Sequence, residues 1–180
     1  MTKPSNLDAA PGTPAAVISH IFLRLRGRQS ADTTVLHAGT ELATVTLSWG
    51  GGTLMRFCNA EAIAGVLEAF SAARATLMYL PANAPAAPRE PYDQPSICID
   101  WTRRPSYAVA TRSALTPDRR HTLRWTDVYA TPVTFQILDR TAFHTGVEVL
   151  GQAHAIAARV CGDGPRYGAD PTRDDYRPPR

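Results

Sequence analysis

Hydrophobic and polar positions alternate through the first part of the chain and then change to a helical spacing. The alternation predicts four β-strands, at residues 16–28, 32–39, 42–49 and 53–58. The helical spacing predicts a long helix with one apolar stripe, formed by Ile63, Val66, Leu67, Phe70, Leu77 and Met78. Asn59 stands directly before this helix, where its side chain is expected to cap the first turn.

The same succession of patterns returns in the second part of the chain. Four more strands are predicted, at residues 96–104, 106–114, 120–128 and 131–138. A second amphipathic helix follows, with an apolar stripe of Phe143, Val147, Leu150, Ala157 and Val160. Asp139 is its predicted N-cap. The predicted order of elements is therefore ββββα, occurring twice.

Proline marks the boundaries of these two parts. Most of the 15 prolines lie in the first 14 residues, within residues 80–95 or after Cys161, and proline-rich stretches are typical of linkers and tails. The chain of 180 residues has the size of one domain. We predict a flexible N-terminal tail (1–15), a single domain (16–161) made of repeat one (16–79), a connector (80–95) and repeat two (96–161), and a flexible C-terminal tail (162–180).

An alignment of the two repeats indicates a duplication. Moving repeat one by 76 positions places Ile21, Leu23, Thr46, Leu47 and Trp49 on Ile97, Ile99, Thr122, Leu123 and Trp125. Four extra residues between the third and fourth strands of repeat two then place Asn59 on Asp139. The shared order of elements carries more weight than these matches.

One amphipathic helix covers only part of a four-stranded sheet, so each predicted unit leaves apolar surface exposed. Two units remove that surface from water by packing their helical sides together. We therefore predict an α+β fold with pseudo-twofold symmetry, in which two antiparallel four-stranded sheets have their helices packed together.

Strand alternation also predicts which side chains face solvent. In the first strand Ile21, Leu23 and Leu25 are expected to face the core, and the opposite side carries His20, Phe22, Arg24, Arg26 and Arg28. The third strand of repeat one is expected to bury Val45, Leu47 and Trp49. Its counterpart in repeat two is expected to bury His121, Leu123 and Trp125 and to expose Thr122, Arg124 and Thr126.

No motif in the sequence indicates catalysis or metal binding. The three cysteines form no CxxC pair, the five histidines have no close metal-ligand spacing, and no GxSxG, Walker or GxGxxG sequence occurs. Gly50, Gly51 and Gly52 predict a tight hairpin. We therefore expect a protein that is not an enzyme and has no cofactor. Unpaired cysteines and the lack of a signal peptide or apolar span predict a cytoplasmic protein without a membrane partner.

The charge of the chain is carried mainly by arginine. Eighteen arginines and one lysine face 16 acidic residues, giving a net charge of +3. The excess lies in the repeats, with five arginines against four acids in repeat one and eight against five in repeat two. This modest charge excludes a histone-like polycation. Guanidinium groups on a sheet face nevertheless suit phosphate, because they pair with it bidentately and release condensed counterions.

These observations predict a nucleic-acid-binding face on the sheets. Phe22 is expected to stack on a base, and six arginines are expected to contact phosphates: Arg24, Arg26, Arg28, Arg56, Arg112 and Arg124. Arg103 and Arg104, near a strand end, extend the predicted path. An ordinary solvated sheet surface and a protein-interaction scaffold explain the same pattern, so both stay open as alternatives.

The tandem ββββα order over residues 16–161 resembles the Whirly fold and the related Pur-type repeat. That resemblance implies binding of single-stranded DNA or RNA along the sheets and assembly through the helices into dimers or tetramers. Of the two nucleic acids, we predict DNA. The Whirly-like fold also resembles that of the actinobacterial SsgA-like cell-division proteins, which implies the recruitment of a protein partner instead. Because one fold hosts many functions, the choice depends on the residues of the site.

Overall fold

The computed structural model describes residues 18–50, 52–85, 96–116 and 118–179. The predicted N-terminal tail and residues 86–95 of the connector lie outside the described residues. Repeat one contains strands β1 (Ile21–Leu25), β2 (Ala31–Leu36), β3 (Thr44–Trp49) and β4 (Thr53–Phe57), then helix α1 (Ala60–Ala72) and a 3₁₀ helix (Ala73–Tyr79). Repeat two contains β5 (Ile97–Trp101), β6 (Tyr107–Leu115), β7 (Thr122–Ala130), β8 (Val133–Ile137) and α2 (Arg140–Val160), and the short α3 (Gly164–Tyr167) follows.

The strands form two four-stranded sheets that have exchanged their outermost strands. The first sheet has the order β1-β8-β7-β6 and the second β2-β3-β4-β5. Two four-stranded sheets with packed helices confirm the predicted α+β fold. The prediction that both sheets are antiparallel is wrong, because β1 pairs in parallel with β8, and β5 pairs in parallel with β4. Side-chain alternation specifies that a strand exists but not which neighbour it joins, so the exchange leaves no trace in the local pattern.

Helix α1 is the centre of the core. Its residues from Ala62 to Phe70 are all buried, as expected for a helix that is apolar nearly all round. Helix α2 buries one stripe and packs against α1. Gly146 permits this approach, since a Cβ atom there would lie 3.3 Å from Phe70 Cε1. The predicted caps are confirmed: the side chains of Asn59 and Asp139 accept hydrogen bonds from Ala62 N and Ala142 N.

Strand pairing corrects the alignment of the repeats. Leu36 pairs with Thr44, eight positions later, whereas the corresponding pair in repeat two, Arg112 and Trp125, is thirteen positions apart. Repeat two therefore has five extra residues between its second and third strands. Its turn between the third and fourth strands is one residue shorter, as Ala130 pairs with Val133 and Trp49 with Thr53. The four extra residues predicted for that turn are wrong.

An insertion with an odd number of residues reverses the faces of β7 relative to the sequence alignment. Thr126, Val128 and Ala130 are fully buried, although Thr126 was predicted to be exposed. His121, Leu123 and Trp125 were predicted to face the core, but His121 and Leu123 are exposed and Trp125 lies on the outer face. Arg124 is exposed as predicted. It shares the parity of the core-facing residues, so it lies on the opposite side of the strand from Trp125.

The C-terminal segment packs against α1, which differs from the flexible tail predicted from its composition. Asp163 accepts hydrogen bonds from Ala60 N (2.8 Å) and Glu61 N (2.9 Å) at the first turn of that helix. Farther along the segment, the Tyr176 hydroxyl donates to the buried carboxylate of Glu68. The backbone donors of a helix start attract any nearby carboxylate, and sequence composition gives no sign of such a long-range contact.

Replacing Asp163 with alanine is expected to lower the free energy of unfolding by about 1–2 kcal/mol, because two donors of the α1 N-terminus lose their acceptor. Urea unfolding followed by circular dichroism measures this change. Asp175→Ala is the control, because that exposed carboxylate contacts only the exposed Arg173 in the described part of the chain and should change stability by less than about 0.5 kcal/mol. Equal stability of the two variants would show that Asp163 does not stabilise α1.

None of the helices in the described ranges combines the length and apolar character that a membrane crossing requires.

Candidate nucleic-acid interface

The structure distributes the predicted site residues over several separate parts of the surface. Phe22, Arg24 and Arg112 share the outer face of the first sheet. Arg26 and Arg124 line a cleft at the end of that sheet. The others lie elsewhere: Arg28 in the β1–β2 loop, Arg56 on the outer face of the second sheet, Arg103 in the bend after β5, and Arg104 against α1. A single surface carrying all nine predicted residues is therefore not formed.

The outer face of the first sheet presents aromatic and basic side chains in register. Phe22 on β1, Thr134 on β8 and Tyr129 on β7 form one row across the sheet. Arg24, Gln136 and Asp127 form the next row, and Trp125 and Arg112 pair in the row beyond. Phe22 is 62% exposed and lies beside the ring of His20, with 4.5 Å between the ring centroids. Two strands, β1 and β7, thus contribute aromatic residues to a common face.

Asp127 organises this face from its centre. Its Oδ1 atom accepts hydrogen bonds from Trp125 Nε1 (2.9 Å) and Gln136 Nε2 (3.2 Å). Its Oδ2 atom accepts from Tyr129 Oη (3.2 Å) and Arg112 Nε (3.3 Å). Although it lies on an outer sheet face, the carboxylate side chain is only 7% exposed. The four donors therefore cover Asp127, and Asp127 in turn fixes the positions of the donors.

Further hydrogen bonds on the same face extend this network to the two outer strands, β6 and β1. Arg112 Nη2 donates to the Tyr129 hydroxyl (2.8 Å), and Arg24 Nε donates to Gln136 Oε1 (3.2 Å). The hydrogen bond to Tyr129, and then that to Asp127, raises the pKa of the Arg112 guanidinium above its already high value. The hydrogen bonds hold the guanidinium groups of Arg24 and Arg112 in position on this face.

The corresponding positions of the second sheet carry a different chemistry. Arg24 pairs with Gln136 between β1 and β8, and the equivalent pair between β5 and β4 is Asp100 with Arg56. That pair forms a bidentate ion pair, in which Arg56 Nε lies 2.9 Å from Asp100 Oδ1. Arg56 therefore has its charge balanced on its own sheet. The second sheet also carries Cys98 where the first sheet carries Phe22.

The ion pair between Arg56 and Asp100 on the second sheet should make the stability of the fold depend on pH. Hydrogen bonds and charge from Arg56 lower the pKa of Asp100 below 3.8, so the pair stabilises the fold above the ordinary carboxyl pKa and is lost as the pH falls through the lowered value. In Arg56→Gln, the pKa of Asp100 is expected to rise toward 3.8. Carbon-detected NMR titration of the carboxyl group measures it. An unchanged pKa would show that the two side chains do not pair in solution.

A cleft of about 780 Å³ opens where the first sheet ends. Strand β8 ends opposite Thr126, so residues 122–125 of β7 extend beyond it, with no strand on that side among the described residues. The five extra residues of repeat two lie in this part of the β6–β7 hairpin. The segment 78–85 forms the facing wall. The five-residue insertion that distinguishes repeat two from repeat one therefore also forms one side of the cleft.

Arg103 and Arg104 do not extend this surface. Arg104 forms an ion pair with Glu68, a residue of α1 that is 5% exposed, and the Tyr176 hydroxyl donates to the same carboxylate. This arrangement balances the buried charge of Glu68, so the Arg104 guanidinium is bound to α1 and not to the first sheet. Arg103 is exposed, but β5 is the edge strand of the second sheet and contributes nothing to the first.

Sequence reasoning missed several residues of this face, namely Trp125, Asp127, Tyr129 and Gln136, and the cleft residue His121. The signal was present in the spacing of Trp125, Asp127 and Tyr129, which alternate with the buried Thr126, Val128 and Ala130. Apolar side chains occur on both parities of β7, because its first residues extend beyond the core. In the described ranges, no cluster of three or more metal-binding side chains occurs.

In comparisons with known proteins, the chain matches no family model, and no curated protein or solved structure matches it significantly.

Proposed function

We propose that the protein binds single-stranded nucleic acid on the outer face of its first sheet and is not an enzyme. The observation that supports this proposal is the arrangement of Phe22, Trp125 and Tyr129 beside Arg24 and Arg112 on one face. Aromatic rings give stacking platforms for bases, and guanidinium groups give contacts to phosphates. Among the described residues of this face, Asp127 is the one carboxylate, and Arg112 balances its charge.

Single strands suit this face better than duplexes. The planes of the bases in a duplex are stacked within the helix, whereas an unpaired strand offers the plane of each base to an aromatic side chain. The row spacing along a strand is about 7 Å, so successive rows can meet successive nucleotides of an extended strand. The proposal includes DNA rather than RNA as the partner, and the topological resemblance to the Whirly and Pur-type proteins supports a single strand of either kind.

The proposal also includes a cytoplasmic location and an oligomeric state. Cys58, Cys98 and Cys161 are all unpaired, which fits a reducing compartment. Assembly through helices would use α2, because α1 is buried inside the domain, whereas α2 exposes Arg140, His144 and Glu148 along one side. A dimer formed in this way would leave the outer face of the first sheet open to nucleic acid.

A titration of the ¹⁵N-labelled protein with a 12-nucleotide oligothymidylate tests this assignment. The amide resonances of Phe22, Arg24 and Trp125 and the indole resonance of Trp125 are expected to shift. The amide resonances of Thr46, Arg56 and Asp100 on the second sheet are expected to stay unchanged. Shifts confined to the second sheet, or to α2, would overturn the assignment of the face.

A protein-interaction module is the second candidate, and one observation favours it. Apolar side chains are exposed in the lining of the cleft, with Met78 80% and Leu123 41% exposed. Apolar side chains in such a group are typical of surfaces that meet a protein. The two candidates separate in the same titration, because a protein-interaction module would leave every resonance of the first sheet unchanged by oligothymidylate.

A further inference from the structure

The cleft at the end of the first sheet has a basic lining. Arg24, Arg26, Arg124 and His121 all line it, and none of its lining residues in the described part of the chain is an aspartate or glutamate. Its volume of about 780 Å³ lies in the range of about 300–1,000 Å³ that is usual for small-molecule sites. The charge of the lining selects an anionic ligand.

Arg26 gives the most direct evidence for such a ligand. Its Nε and Nη1 atoms are buried, and neither has a hydrogen-bond acceptor among the described residues. Buried donors of a charged group are normally paired, since leaving them without acceptors is unfavourable. Arg124 lines the same cleft. A phosphate group has enough acceptor oxygens to serve both guanidinium groups, and its charge matches theirs.

The remaining walls of the cleft are apolar and partly aromatic. Trp125, Tyr79, Met78 and Leu123 all line it, and Tyr79 is 51% exposed. The indole N–H of Trp125 already donates to Asp127, so Trp125 offers its ring and not a hydrogen bond. A planar ring that enters the cleft can therefore stack on a side chain whose orientation is fixed in advance.

We propose that the cleft holds one nucleotide of the bound strand, with its base against Trp125 and its phosphate on Arg26 and Arg124. This inference rests on the proposed function and deepens it. Phosphate and aromatic base together are the chemistry of a nucleotide. A base that enters the cleft is unpaired, so the cleft itself favours single strands over duplexes. The same chemistry would accept a free nucleotide, which the experiment distinguishes.

The test uses the full chain, with thymidine 5′-monophosphate and a fluorescein-labelled 12-nucleotide oligothymidylate as probes. The monophosphate is added up to about 10 mM, so that weak binding is also detected. We expect it to shift the indole resonance of Trp125 and not the indole resonances of the buried Trp49 and Trp101. Thymidine and inorganic phosphate should each shift it less at equal concentration. In Arg26→Gln/Arg124→Gln, both probes are expected to bind at least about tenfold more weakly, as for the loss of charged contacts.

A control variant with the same loss of charge is Arg103→Gln/Arg177→Gln, because both residues are exposed and neither lines the cleft. Oligonucleotide binding that is equal in the cleft and control variants would overturn the inference and leave the proposed function standing. Binding of the monophosphate without any binding of the oligonucleotide would overturn both proposals in favour of a free-nucleotide site. If neither probe binds, both are overturned, and an acidic peptide becomes the class of ligand to examine.

Discussion

Replacing Phe22 with alanine and Arg24 with glutamine in one variant is expected to weaken binding of a single-stranded oligonucleotide by about 30- to 100-fold. The loss combines one stacking platform, about 1–3 kcal/mol per base, with one phosphate contact. Fluorescence anisotropy of a labelled oligothymidylate at constant salt measures the affinity. Because Phe22 is 62% exposed, the thermal stability of the variant should remain close to that of the unsubstituted protein.

The second sheet offers a matched control. Leu54 and Arg56 are two residues apart on the outer face of β4, so Leu54→Ala/Arg56→Gln removes an exposed apolar side chain and one positive charge from the other sheet. Its affinity is expected to stay within about twofold of the unsubstituted protein, because Asp100 already balances Arg56. Equal losses in both variants would mean that binding depends on total charge and not on the first sheet.

Replacing Asp127 with alanine is expected to lower the free energy of unfolding by about 3 kcal/mol. The substitution leaves Arg112, Trp125, Tyr129 and Gln136 without their common acceptor, and removal of one partner from a buried charged network is strongly destabilising. For a chain of this size the loss corresponds to a fall of about 6–12 °C in Tm. Differential scanning calorimetry and urea unfolding measure it.

Asp100→Ala provides the comparison for Asp127→Ala. Asp100 also pairs with an arginine across two strands, but its side chain is 43% exposed, so its loss should cost less than about 1 kcal/mol. Asp127→Ala is also expected to weaken oligonucleotide binding, since Trp125 and Arg112 lose the acceptor that orients them. A variant that is as stable as Asp100→Ala would show that the network on the first sheet does not hold these side chains in place.

The elements of the fold could be predicted from the sequence because their signals are local. Alternation identified the strands, and Asn59 and Asp139 were found as caps from their positions before α1 and α2. The helical spacing identified both helices, but α1 ends at Ala72, and Met78, which was predicted on its apolar stripe, is 80% exposed. The hairpin at the glycine run is also present, with Gly50 at a φ of 61°. Each of these features depends on a few neighbouring residues, so one sequence is sufficient to predict it.

Strand exchange and the outer face of β7 could not be predicted in the same way. Parallel pairing of β1 with β8 joins residues more than 100 positions apart, and Ile21 would alternate with its neighbours in the same manner beside any strand. The face of β7 depends on where five extra residues lie, and Leu123 and Trp125 suggested a core-facing parity because both are apolar. Both residues lie beyond the core and line the cleft, so their hydrophobic character is explained by the cleft and not by burial in the interior.

The candidate site was therefore found in part. Phe22, Arg24 and Arg112 were identified from alternation, and they do share one face. Asp127 could not be identified, because a single carboxylate among hydroxyl and arginine residues gives no sign that four donors from three strands converge on it. The contrast between the sheets was equally hidden. It depends on Asp100 meeting Arg56 across a parallel pair that only the exchanged strand creates.

Anisotropy titrations of labelled single-stranded and double-stranded oligonucleotides with the purified protein, at low and near-physiological salt, show whether the protein binds single-stranded nucleic acid. We predict tight binding of the single strand, weaker binding of the duplex, and a decrease of log affinity with log salt of about 0.7 for each phosphate contacted. No binding of either form at low salt, or tighter binding of the duplex, would show that the protein is not a single-strand-binding protein.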